Sequence, residues 1–124
     1  IVFFMSNMSD GFMTLCCQLR KSLHCESIEC RLCKNDNPFP LNEFCYTNPN
    51  GEVRYIRSMK EDKWSFFEMG KPLSFEDLSL YKKRLHKDKM NIDIIFRYLK
   101  EMGIYFETID KKIKECYSFE RTTI

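Results

Sequence analysis

Glycine and histidine are both scarce in this chain of 124 residues, which contains four glycines and two histidines. The sequence has no G-x-G-x-x-G or G-K-[ST] loop, the motifs in which glycine-rich backbone cradles phosphate groups. It also lacks a G-x-S-x-G motif, and a hydrolase needs a nucleophile placed beside a base. These absences argue against a nucleotide-binding enzyme or a hydrolase. We therefore predict that the protein is not an enzyme and needs no cofactor.

Long apolar runs are missing as well. No segment approaches the roughly 20 apolar residues that a membrane-spanning helix needs, so no membrane association is expected. The formal net charge of +2 is too close to neutral to indicate nucleic-acid binding by itself. Hydrophobic residues make up 44% and charged residues 31% of the chain, a balance typical of a folded soluble protein. We predict one domain over residues 1–124, with residues 1–8 derived from a tag, disordered or part of an edge strand.

Cysteine usage favours a reducing compartment. The chain has seven cysteines, an odd number, whereas a small secreted protein usually carries an even set that forms disulfides. Cys16 and Cys17 are adjacent on a predicted helix, which suits reduced and buried thiols. We therefore expect free cysteines and a cytoplasmic location.

The densest group of metal-binding residue types is HCESIECRLCKN, residues 24–35. Cys30 and Cys33 have the C-x-x-C spacing that zinc sites and redox pairs use when a tight turn brings both sulfurs together. No glycine or proline lies between them, and no second C-x-x-C pair exists. The alternation in SIECRLC instead predicts a strand, in which residues three apart face opposite sides. A strand is favoured over a zinc site or a redox pair, and no metal is expected.

Hydrophobic periodicity predicts a helix followed by a block of strands. The helix, capped by Ser9 or Asp10, has apolar residues at helical spacing. These residues are Phe12, Leu15, Cys16, Leu19 and Leu23. Strands are predicted in SIECRLC, EFCYT, VRYIRSM and WSFFEM, and Asn50-Gly51 is a type I′ hairpin signature. The short connections make these strands antiparallel.

Two more helices are predicted after the strands. One begins at Ser74, with Asp77 as the acidic residue three positions on, and the other is capped by Asn91 and closed by Gly103. Two β-like segments, IYFETI and CYSFERTTI, complete the chain. The predicted fold class is α+β, a single antiparallel sheet of about four to five strands with helices packed on one face.

The strongest charge feature is YKKRLHKDK, residues 81–89. On the predicted helix its basic residues cover more than half of the circumference and leave Tyr81 and Leu85 for the core. Such a segment is either a solvated face or a docking surface for an acidic partner or a phosphate backbone. The candidate partner-binding residues are Lys82, Lys83, Arg84, His86 and Lys87, together with the acidic residues Glu61, Asp62 and Glu68.

Trp64, Phe66 and Phe67 place bulky aromatic side chains on both faces of the last predicted strand in the block. Their simplest role is core and cross-strand packing. Because helices cover one face of the sheet, the apolar side chains of the other face predict a partner surface.

Residues 53–103 resemble a group of small bacterial proteins of similar length. The shared features are a strand with W-x-F, a G-x-P-L-x-F-E-[DN] turn, a basic patch that follows a tyrosine, and an amphipathic helix ending in glycine. The matching residues are Trp64, Phe66, Gly70, Pro72, Leu73, Phe75, Glu76, Asp77, Tyr81 and Arg84. The group looks like the immunity proteins of polymorphic toxin and contact-dependent growth inhibition systems.

The resemblance implies a protein that binds a cognate toxin, of nuclease type, and blocks its active site. Charge complementarity would speed this encounter and set its specificity. Nuclease toxins are often basic, so either the toxin presents an acidic surface to residues 82–87 or the contact uses the acidic residues. The alternative function is a small nucleic-acid-associated protein that uses residues 81–89, and a further one is an accessory subunit of an enzyme.

Overall fold

A computed structural model describes residues 13–33 and 36–105. Its elements are helix α1 (Met13–Leu23), strands β1 (Ser27–Arg31), β2 (Leu41–Thr47), β3 (Val53–Lys60) and β4 (Trp64–Met69), two 3-10 helices (Leu80–Lys82 and His86–Asp88), and helix α2 (Ile92–Glu101). The predicted α+β class is confirmed. Neither α-helix in the described part has the length and apolar character that crossing a bilayer requires. The expectations for residues 1–8, for the first helix cap and for the strands of the tail past Tyr105 fall outside the described residues.

The four strands form one antiparallel sheet in the order β1-β2-β3-β4. Phe44 lies opposite Cys30 on one side and Ile56 on the other, and Ile56 lies opposite Glu68. Because side chains alternate along each strand, this row defines one face of the sheet, which we call the inner face. The opposite, outer face carries the row that contains Arg57.

The core lies between the inner face and α2. Phe44 and Ile56 from the sheet and Ile95 and Tyr98 from α2 are all completely buried. The Phe44 and Tyr98 rings meet edge to face, with centroids 5.7 Å apart. Burial of each such side chain contributes about 1.5–3 kcal/mol. The predicted cap of α2 is confirmed, since the side-chain oxygen of Asn91 accepts from the third backbone N–H that follows it, at 3.0 Å.

The turn between β2 and β3 is not the predicted type I′ hairpin. That turn needs positive φ at both central residues, and Gly51 has φ +89° whereas Asn50 does not have a positive φ. The Gly51 N–H donates to the Asn48 carbonyl at 2.9 Å, so the turn spans residues 48–51 with Pro49 in its second position. Proline fixes φ near −65°, which excludes a primed turn at this place.

Residues 74–85, all of which are described, do not form the predicted helix. Asp77 Oδ1 accepts hydrogen bonds from the Ser79 N–H at 3.1 Å and from its hydroxyl at 2.5 Å, and such local bonds compete with a helical backbone. Leu85 is extended, with φ −88° and ψ 119°, and it separates the two 3-10 helices. Tyr81 is buried as predicted, but Leu85 is 52% exposed.

Helix α1 forms where the periodicity predicts it, but its apolar face is largely open. Leu15, Leu19 and Leu23 are 39%, 45% and 68% exposed, whereas Arg20 is only 8% exposed. The Arg20 guanidinium donates to the carbonyl oxygen of Asn48 at 3.3 Å. A cation therefore attaches this helix to the β2–β3 turn.

Gly70 provides a test of how tightly the chain after β4 approaches β3. Its φ is +87°, and a Cβ at this position would overlap the Val53 carbonyl. We expect Gly70→Ala to lower the free energy of unfolding by roughly 2–5 kcal/mol, because left-handed backbone costs about 1–2 kcal/mol and overpacking about 1–3 kcal/mol more. Urea denaturation followed by circular dichroism measures the change.

Gly103→Ala is the matched control. Gly103 has φ +79°, but apart from its chain neighbours no atom of the described residues lies within 4 Å of the added carbon. Gly103→Ala should therefore lower the free energy of unfolding by about 1–2 kcal/mol, from backbone conformation alone. Equal losses for the two variants would contradict the close approach of Gly70 to β3.

Candidate partner-binding surface

A buried ion-pair network anchors the segment that leads to the basic residues. Arg54, on the inner face of β3, is 2% exposed. Its Nε and Nη2 donate to the two carboxylate oxygens of Glu76 at 2.9 and 2.7 Å, and Nη2 also donates to Glu68 at 2.5 Å. Nη1 donates to the carbonyl oxygens of Met69 and Gly70 at 3.2 and 3.1 Å. These bonds attach the chain after β4 to the middle of the sheet.

Glu76 joins this network to α2. Its fully buried side chain also accepts from the Leu73 N–H at 2.8 Å and from the Tyr81 hydroxyl at 2.9 Å. The Tyr81 hydroxyl lies 2.7 Å from that of Tyr98. Burial and the bond to Tyr98 raise the pKa of Tyr81. Burial alone would lower the pKa of Arg54, but the bonds to Glu76 and Glu68 raise it.

The predicted basic residues lie on an exposed, irregular segment rather than on an α-helix. The five exposed residues are Lys82, Lys83, Arg84, His86 and Lys87. The Ser58 hydroxyl donates to the carbonyl oxygen of His86 at 2.7 Å, which fixes the backbone of this segment to β3. Lys89 differs from the others, because its ammonium lies 5.0 Å from the centroid of the Phe66 ring.

Three of the basic residues meet beside Trp64. They line a groove of about 360 Å³, which we call the Trp64 groove, formed by Trp64, Arg84, Leu85, His86 and Lys87. Trp64 opens β4 and is half-buried, so the expectation that it packs in the core is not met in full. The groove combines apolar side chains with three basic ones. This combination suits an acidic ligand that also presents an apolar group.

The predicted acidic residues separate into two places. Glu61 and Asp62 lie in the β3–β4 turn and line a second groove of about 540 Å³. Phe39, which is 71% exposed, lines the same groove. Glu68 is 39% exposed in its side chain, and its carboxylate is bonded to Arg54. The structure therefore brings together Arg84, His86 and Lys87, but it does not bring Glu68 to them.

Sequence reasoning missed Phe39 and did not predict that Trp64 lines a groove. Phe39 stands between Pro38 and Pro40, and an aromatic residue in a proline-containing loop was an available signal for an exposed side chain. Nothing in the local pattern around Trp64 distinguishes a core position from a groove at the end of the inner face.

The cysteine cluster contains a strand, as predicted, although β1 ends at Arg31. Cys30 packs against the core, and Cys33 follows the strand, where its N–H donates to Asn42 Oδ1 at 3.1 Å. Burial and the neighbouring Cys45 raise the pKa of Cys30 to about 12, and burial with Glu29 raises that of Cys45 to about 11. Over residues 13–33 and 36–105, no group of three or more histidine, cysteine or acidic side chains could hold a metal ion.

Comparisons with models of known protein families, with curated proteins and with solved structures find no significant match. A function for this chain must therefore be inferred from its own residues and surfaces.

Replacing the central cation tests the buried network. Arg54→Leu should lower the free energy of unfolding by roughly 3–5 kcal/mol, because it leaves the Glu76 carboxylate buried without its counter-ion. Glu68→Gln is the control and should cost less than about 1 kcal/mol, since this carboxylate is partly exposed. Urea denaturation of both variants gives the comparison. A similar small loss for each would mean that the network contributes little to stability.

The thiols should differ in reactivity. Among the six cysteines that the structure describes, iodoacetamide at about pH 8 should modify the exposed Cys25 first and Cys30 last in the native protein, because burial and a raised pKa leave little Cys30 thiolate. Mass spectrometry of peptides over time measures the rates. After denaturation without reductant, all seven cysteines of the chain should react. An intramolecular disulfide, or equal rates at Cys25 and Cys30, would refute this expectation.

Proposed function

We propose that this protein is a non-enzymatic bacterial immunity protein, which binds a cognate toxin of nuclease type in the cytoplasm and blocks its active site. The observation that carries the proposal is the exposed basic segment, residues 82–87, which forms a groove with Trp64. An inhibitor of this kind needs no catalytic group, but it needs a stable scaffold and a specific charged surface. The resemblance of residues 53–103 to immunity proteins favours the same function.

The anchoring of the basic segment supports a binding role. Tyr81, at its start, is hydrogen-bonded to the buried Glu76, and the His86 backbone is held by Ser58. The basic side chains thus project from a backbone that is fixed at both ends. A preorganised surface loses less conformational entropy when a partner binds.

The distribution of charge supports a toxin whose surface contains both signs. The Trp64 groove is basic, whereas Glu61 and Asp62 lie in the turn that immediately precedes β4. A basic nuclease can contact this acidic turn while an acidic segment of the same toxin enters the Trp64 groove. The slight positive charge of the chain is therefore compatible with a basic toxin.

A small nucleic-acid-associated protein is the second candidate. The half-buried Trp64 lies among Arg84, His86 and Lys87, and single-strand binders combine aromatic side chains with basic groups in this way. Such binding would weaken steeply with salt. It would be lost when the charges of residues 82–84 are neutralised.

Charge reversal of the basic segment tests the proposal. The triple variant Lys83→Glu, Arg84→Glu, Lys87→Glu should keep nearly the same melting temperature, because all three side chains are exposed. Its affinity for the cognate toxin should fall at least tenfold, about 1.4 kcal/mol. The loss should come mainly from slower association at low salt. Surface plasmon resonance at two ionic strengths measures both rates.

The control triple reverses Lys21, Lys71 and Lys100, which are also exposed and lie outside the groove. It changes the net charge equally, so an effect of overall charge alone would slow both triples alike. Unchanged toxin binding by the first triple would remove the basic segment from the interface. Loss of single-stranded DNA binding in that same variant would support the second candidate.

A further inference from the structure

The outer face of the sheet carries a cluster on β3 and β4, which we call the Arg57 patch: Tyr55, Arg57, Phe67 and Met69. Arg57 lies opposite Phe67, and Tyr55 lies opposite Met69, so the four side chains form two adjacent rows on one face. Phe67 is 45% exposed and Met69 is 49% exposed. Neighbouring exposed apolar side chains of this kind are typical of an interaction surface.

Two aromatic rings hold the guanidinium of Arg57. Its central carbon lies 6.0 Å from the Tyr55 ring centroid and 5.6 Å from that of Phe67. The two rings are themselves in contact, with centroids 5.9 Å apart. Cation–π contacts position the guanidinium. Its Nε is buried and has no hydrogen-bond partner in the part of the chain that the structure describes.

The carboxylate nearest to Arg57 in the sheet register is bonded to other groups. Glu43 lies opposite Arg57, but it accepts from the Tyr55 hydroxyl at 2.6 Å and lies 3.7 Å from Arg31 Nε. Burial and this bond raise the pKa of Tyr55 to about 12, while the nearby Arg57 guanidinium acts in the opposite direction and lowers it. Arg57 forms no ion pair with another described residue. The positive charge of Arg57 is therefore not paired with any described carboxylate, and a carboxylate from outside would be a suitable counter-ion.

We propose that the Arg57 patch docks a partner protein through an aspartate or glutamate side chain that has an apolar neighbour. The guanidinium would receive the carboxylate, for which its planar fork of donors is suited. Phe67 and Met69 would pack against the apolar neighbour. Charge complementarity specifies the acidic group, because a cation held between two rings has no counter-ion among the described residues.

This surface is distinct from the Trp64 groove. Side chains alternate along β4, so Trp64 and Phe67 project to opposite faces of the sheet. The inference therefore does not depend on the proposed immunity function. Variants at one surface can be tested without changing the other.

The test uses the whole chain and two blocked peptides, acetyl-Gly-Leu-Glu-Leu-Gly-amide and the same peptide with glutamine in place of glutamate. Nuclear magnetic resonance titrations follow the Nε–H signal of Arg57 and the methyl signal of Met69. We expect the glutamate peptide to shift both signals saturably and the glutamine peptide to bind at least tenfold more weakly. Arg57→Gln should remove the difference between the peptides. Phe67→Ala should weaken the binding of both.

Arg84→Gln, in the Trp64 groove, is the matched control and should leave the titration unchanged. The inference is overturned if neither peptide shifts the Arg57 signal, if both peptides bind equally, or if binding depends on Arg84. Circular dichroism checks that each variant is folded. If Arg57→Gln does not fold, the same titration is carried out on Arg57→Lys, which keeps the charge but lacks the planar fork of donors. Unchanged affinity of Arg57→Lys for the glutamate peptide would then overturn the guanidinium–carboxylate contact.

Discussion

The ion pair between Arg54 and Glu76 determines the path of the chain from β4 to α2. Both side chains are almost completely removed from water, and a buried pair is tolerated only when the remaining donors and acceptors are also bonded. Carbonyl oxygens after β4, the Leu73 N–H and the Tyr81 hydroxyl supply those partners. The segment therefore folds around the pair instead of following the helical preference of its own residues.

Local signals in the sequence predict the regular elements well. Strands with alternating side chains appear where the alternation occurs, and α2 begins at the asparagine cap and is followed by Gly103 in a left-handed conformation. The helix expected from Ser74 does not form, and part of the cause is a contact with a residue far away in the sequence. Glu76 is bonded to Arg54, 22 residues away, and Asp77 is bonded to Ser79 rather than to a helical turn. Ser74 and Asp77 have the spacing of a helix N-terminus, but tertiary and local hydrogen bonds can prevent a helix from forming at such a place.

The composition of the candidate site was predictable, but its geometry was not. The basic run is visible in the sequence, and its exposure agrees with ordinary expectation for charged residues. Its meeting with Trp64 depends on the extended backbone at Leu85 and on the bond from Ser58 to the His86 carbonyl. The Arg57 patch depends in turn on cross-strand register, which places Arg57 opposite Phe67 and Tyr55 opposite Met69. Register and loop path are tertiary properties, and residue spacing alone does not determine them.

Helix α1 is attached to the rest of the molecule in a different way from α2. Its leucines bury little surface, and Arg20 attaches it through carbonyl oxygens of Asn48 and Pro49 at 3.3 and 3.5 Å. Elements with few buried apolar contacts open at a lower free energy than the global unfolding transition. The backbone amides of α1 should therefore exchange with deuterium through local opening, while those around Tyr98 exchange only when the inner core opens. We therefore expect the first and last helices of the described chain to open as separate cooperative units.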